Sequence, residues 1–123
     1  PPADTHGTPA ALQSVARAAM ALRVALRTLI GAVTPGEPRG RDLIYRLGID
    51  KSLASRALRV LRAEDPAEVA PLLPSGEGVR LIADGAARAG APTDARRATL
   101  DASLAFESAV AALPGGRTAL SGR

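Results

Sequence analysis

The sequence predicts an all-α fold of about six helices, led by a long N-terminal helix. Three observations carry that expectation. Apolar residues recur at gaps of three and four, the spacing that keeps side chains on one helix face. No stretch alternates with period two for long enough to make a strand. Cap residues that open helices and Gly or Pro residues that close them punctuate the chain at short intervals. At 123 residues the chain suits one domain, 9–113, with a core of its own.

Residues 1–8 are expected to be a disordered leader. Thr8 is a suitable cap and Pro9 fits the first helical position, so a helix is expected from Pro9 to about Val33. Leu12, Val15, Ala19, Leu22, Leu26, Leu29 and Val33 form a heptad-like seam along it. Such a seam packs either inside the monomer or on a twin helix, making a homodimer through 9–33. The segment Thr34-Pro35-Gly36-Glu37-Pro38 breaks the chain. A short helix from about Gly40 to Leu47, a turn at Gly48 and a helix from Lys51 to about Ala63 follow. Asp65-Pro66-Ala67-Glu68 opens the next helix, which runs to about Leu73. Ser75 caps another that ends at about Ala89, before Gly90. Thr93 or Asp94 is expected to cap the last helix, which runs to about Leu113 and stops at Pro114-Gly115-Gly116. Residues 114–123 read as a tail. The absence of an initiator Met leads to the expectation that the chain is part of a longer protein.

Hydrophobic residues make up 46% of the chain and aromatics 2%, so the core must be built from Leu, Val, Ile and Ala. Tyr45 and Phe106 are the only aromatic residues, and both are expected in the core. Stacking platforms for unpaired bases are therefore nearly absent. The net charge is +4, carried almost wholly by Arg, with Lys51 the single lysine. A GC-rich genome produces the same Arg and Ala bias. The lack of cysteine excludes disulfides and thiolate metal sites and fits a cytoplasmic setting. No apolar run approaches the roughly 20 residues that span a bilayer, so no membrane partner is expected.

The segment from Gly40 to Arg62, GRDLIYRLGIDKSLASRALRVLR, holds the most informative pattern. Leu43 and Leu47 share a face of its first helix. Gly48 stands where the chain must reverse through a left-handed conformation. Ile49 can plug the gap between the helices, and Asp50 can cap the second. Ala54, Ala57, Leu58 and Leu61 form the second helix's apolar stripe. Opposite that stripe lie Lys51, Ser52, Ser55, Arg56, Arg59 and Arg62.

This segment resembles the helix-turn-helix of bacterial transcription regulators, the lactose-repressor type among them, most strongly over LGIDKSLASRAL. Ile44 stands where that pattern has a small residue and Ala54 where it has Val or Ile, an exchange that balances in volume. The resemblance implies double-stranded DNA as partner, with helix 51–63 as recognition helix in the major groove. It places Lys51, Ser52 and Ser55 near base edges and Arg56 at a guanine or phosphate. Arg59 and Arg62 would lie at phosphates, and Arg39, Arg41 and Arg46 would grip backbone from the first helix and its entry. A helix follows at once, so no β-hairpin wing is expected.

The rival expectation is a helical interaction or oligomerisation module that uses the same fold without DNA. An enzyme is not expected. His6, the only histidine, lies in the leader without an orienting carboxylate, and no familiar ligand set for a metal is present. GEPRGRD and PSGEGVR lack the Lys-Ser/Thr of a phosphate-cradling loop, so no cofactor is expected.

Overall fold

The computed structural model describes residues 3–117 and residue 120, with side chains from Pro9 onward. It is all-helical: α1 (Ala3–Gly31), α2 (Gly40–Leu47), α3 (Lys51–Arg62), α4 (Pro66–Leu72), α5 (Gly76–Arg88) and α6 (Thr93–Ala111). There is no strand among the described residues, so no wing follows α3.

Two helix starts differ from expectation. Helix α1 begins at Ala3, which places Thr8 and Pro9 inside it instead of at its first turn; of the expected leader, residues 1 and 2 lie outside the described residues. Pro9 removes one N–H from the helical ladder, so the turn ahead of it is held by fewer hydrogen bonds than the rest. Helix α6 is entered through Pro92, whose carbonyl accepts the Arg96 N–H at 3.2 Å. Neither Thr93 nor Asp94 caps it by side chain, because both already lie in the first turn. The starts of α4 and α5 follow the sequence: Asp65 Oδ1 accepts from the Ala67 N–H at 2.9 Å, and Ser75 Oγ from the Gly78 N–H at 3.2 Å.

The seam on α1 closes the core. Val15, Ala19, Leu22, Leu26 and Leu29 are all buried, while Leu12 and Val33 at its ends are half-buried. Helices α6 and α4 cover it within the same chain. A twin helix therefore cannot use that seam, and α1 leaves only its outward side, with Arg17, Ala21 and Val24, for another partner. Thr99 ties the two longest helices together, its hydroxyl 2.9 Å from the Ala95 carbonyl and 3.3 Å from that of Ala25. No buried side-chain polar atom among the described residues lacks a partner.

Helix α5 fixes the end of α2. At Gly85 a Cβ would overlap the carbonyl oxygen of Leu47, so only glycine allows the two backbones to meet there. Phe106, fully buried, joins the core from α6 as expected. The 114–123 tail, in contrast, is partly built into the domain. Arg117 sits over the Phe106 ring, 5.6 Å from its centroid, and donates to Glu107 Oε2 at 3.1 Å and to the Leu73 carbonyl at 2.6 Å. Leu120 is buried in the core.

Candidate nucleic-acid interface

The three residues between α2 and α3 act as their composition dictates. Gly48 adopts φ +66°, ψ 32°, and its N–H donates to the Ile44 carbonyl at 3.0 Å, closing α2. Ile49 is buried, and Asp50 Oδ1 accepts from the Leu53 N–H at 2.7 Å, opening α3. Below the turn, Leu43 and Leu47 are buried, Ala54, Ala57 and Leu58 form the inner stripe, and Ile44 is half-buried beside them. The stripe is wider than its local spacing suggests. Val60 is fully buried and Leu61 only half-buried, because α1 and α4 pack on α3 together.

The opposite face of α3 is open. Lys51, Ser52, Ser55, Arg56, Arg59 and Arg62 are all exposed, and no acidic side chain interrupts them along the helix. They do not all stand free. Arg56 Nη1 lies 3.4 Å from the carbonyls of Leu72 and Leu73, and Arg62 Nη2 donates to the Pro38 carbonyl at 3.2 Å. Lys51, Ser52, Ser55 and Arg59 make no side-chain hydrogen bond among the described residues. On the entry side Arg39 and Arg41 are exposed and likewise unengaged by side chain, whereas Arg46 Nη1 reaches the Val33 carbonyl at 3.5 Å.

The arginine bias thus has a use that local sequence does not reveal. The last carbonyls of a helix have no partner within it and carry partial negative charge. A guanidinium offers several N–H donors in a planar fork. Arg23 and Arg27 of α1 both donate to the Leu61 carbonyl at the end of α3, at 3.3 and 2.7 Å. Arg88 reaches the Leu47 carbonyl at the end of α2 at 3.5 Å, while Arg56 and Arg117 converge on the end of α4. Arg23, Arg27, Arg88 and Arg117 were not readable as structural residues. The one available signal is that Arg23 and Arg27 sit one turn apart with no acid near them on α1.

Tyr45 is a correction to the expected core. It is 83% exposed, on the side of α2 away from Leu43 and Leu47. Gly76 and Gly78 belong to a capped helix start. A Cβ at Gly78 would meet Pro74 Cβ at 3.0 Å and Leu53 Cδ1 at 3.2 Å, so this glycine allows α5 close to α3. Among the described residues no cluster of His, Asp or Glu could hold a metal ion, and no helix is long and apolar enough to cross a membrane.

A groove of about 750 Å³ runs along the open side of α3. Among the described residues, its α3 wall is Ser55, Leu58, Arg59 and Arg62, and α4 and Leu120 form the other side. Comparison of the chain with protein-family models, with curated proteins and with solved structures finds no match.

Proposed function

We propose that α2 and α3 form a helix-turn-helix and that the chain binds double-stranded DNA as part of a transcriptional regulator of the bacterial cytoplasm. The observation that carries this reading is the open face of α3, a helix with no acidic residue of its own, displayed by a glycine turn and an aspartate cap. In such a module the second helix enters the major groove with its N-terminal residues over base edges. Lys51, Ser52 and Ser55 occupy that end and have no side-chain partner among the described residues. Arg59 is one turn farther, suited to a phosphate, and Arg39 and Arg41 can grip the same backbone from α2 and its entry. Arg46, Arg56 and Arg62 have structural duties at backbone carbonyls and are the weaker members of the set.

Fluorescence anisotropy with a generic duplex tests the reading. Four cationic groups without a side-chain partner among the described residues, Arg39, Arg41, Lys51 and Arg59, can each neutralise one phosphate. The slope of log affinity against log salt is then about −3.6, roughly a hundredfold loss between 50 and 200 mM. No binding at low salt, or binding indifferent to salt, contradicts the proposal.

A second reading, an interaction module without DNA, is favoured by the internal engagement of so many arginines and by the groove beside α3. It predicts no duplex binding at low salt. A homodimer formed through α1 would have to use that helix's outward side. Sedimentation at increasing concentration checks it, and a monomer at every concentration removes it.

A further inference from the structure

The groove between α3 and α4 combines features that solvent-facing helix faces do not need. Its apolar floor comes from Leu58, Ala63 and Leu120, together with Pro71 and Leu72. Leu58, Ala63 and Leu120 each keep 8% exposure, whereas Leu43, Val60, Val69 and Leu73 of the neighbouring core keep none. The edges of these three apolar side chains therefore reach the groove. Arg59 and Arg62 stand at its α3 edge and Glu68 at its α4 edge, leaving a net charge of +1 among the described lining residues. Arg59 and Glu68 are not ion-paired, since the salt bridges among the described residues are Arg96–Asp84 and Arg117–Glu107.

We propose that this groove binds a small amphipathic carboxylate, its charged end at Arg59 and its apolar body on Leu58, Leu72 and Leu120. Size selects a small molecule. The volume falls within the roughly 300–1,000 Å³ typical of ligand sites, while a stable protein interface needs about 800 Å² from each partner. The six apolar side chains among the described lining residues do not supply that. Charge selects a monoanion, because a phosphate monoester brings about two negative charges into a lining with one in excess. A guanidinium fork also matches the planar geometry of a carboxylate.

Because Ser55, Arg59 and Arg62 belong both to the groove and to the α3 face offered to DNA, a bound carboxylate would block the duplex. That consequence rests on the DNA reading, whereas binding of the carboxylate does not. Titration calorimetry of the 123-residue chain with decanoate, below its micelle concentration, tests the binding alone.

Saturable binding of one decanoate per chain is expected, with decanol binding much more weakly. Arg59→Ala should weaken decanoate by about tenfold, the scale of one charge-assisted hydrogen bond. Ala67→Phe, which fills the groove from an exposed position on α4, should abolish binding while leaving the helical circular dichroism unchanged. Ala67→Glu, which places a second negative charge there, gives the same outcome by another route. Absence of saturable binding, or binding undiminished in both Ala67 variants, overturns the proposal. Decanoate should also displace a labelled duplex from the unmodified chain but not from Ala67→Phe. Binding without displacement overturns the blocking role. A chain that binds decanoate but never a duplex refutes the DNA reading and leaves the groove standing.

Discussion

Replacing Gly85 by alanine tests how the turn between α2 and α3 is held. On helix propensity alone the change is favourable, since alanine in a helix interior is better than glycine by about 1 kcal/mol. The structure opposes it. The new Cβ would overlap the Leu47 carbonyl oxygen and crowd the Leu47 carbonyl carbon and Cα, at 2.9 and 3.1 Å. These are backbone atoms at the end of a helix, so no side-chain rotation relieves the clash, and α5 must move away from α2. Overpacking of this kind costs about 1–3 kcal/mol, and a backbone-to-backbone clash belongs at the upper end. The net loss is then about 2 kcal/mol, or a fall in Tm of roughly 6–10 °C for a domain of this size. Thermal unfolding followed by circular dichroism measures it. Gly31→Ala is the internal control: a Cβ there meets nothing within 4 Å, so Tm should hold or rise by a few degrees. An equal or higher Tm for Gly85→Ala would refute the close approach of α5 to α2.

Three further outcomes follow from named contacts. Asp50→Ala removes the cap of α3 and should lower stability by about 1 kcal/mol, with Asp50→Asn or Asp50→Ser restoring most of it; denaturant unfolding decides this. Arg27→Ala removes the 2.7 Å bond to the Leu61 carbonyl and should cost on the order of 0.5–1.5 kcal/mol, discounted for its exposure. An unchanged denaturation midpoint would show that water replaces the guanidinium there without loss. The chain's single tyrosine is open to solvent and there is no tryptophan. Acrylamide should therefore quench its fluorescence almost as well as that of a free tyrosine derivative, and strong protection in the isolated chain would contradict the exposed placement of Tyr45.

What was legible in the sequence was local. Gly48, Ile49 and Asp50 announce a turn because each has one conformational or capping task that depends on its nearest neighbours. The α3 face was legible because helical spacing alone separates Lys51, Ser52, Ser55, Arg56, Arg59 and Arg62 from Ala54, Ala57 and Leu58. Contacts distant in sequence were not. Whether the α1 seam meets α6 or a second chain is not encoded in its spacing, and Thr99 reaching the Ala25 carbonyl spans 74 positions. Val60 is buried by α1 and α4 packing on α3, and Leu120 is buried by the chain folding back past Pro114. The arginines are the clearest case. Arg59 and Arg88 look alike in sequence, yet one has no partner among the described residues and the other reaches the Leu47 carbonyl 41 positions away. Aromatics usually serve the core, but the offset of Tyr45 from Leu43 and Leu47 places it on the other side of α2.

Whether DNA binds on the open face of α3 is decided by a charge-matched comparison. Lys51→Glu with Arg59→Glu alters that face, while Arg80→Glu with Arg97→Glu makes the same change in net charge on exposed positions of α5 and α6. Duplex affinities of the two double variants, measured by anisotropy at one low salt concentration, should differ by on the order of tenfold or more, with the α3 variant the weaker. Equal loss in both would mean that any binding follows overall charge and would contradict a DNA-binding role for α3.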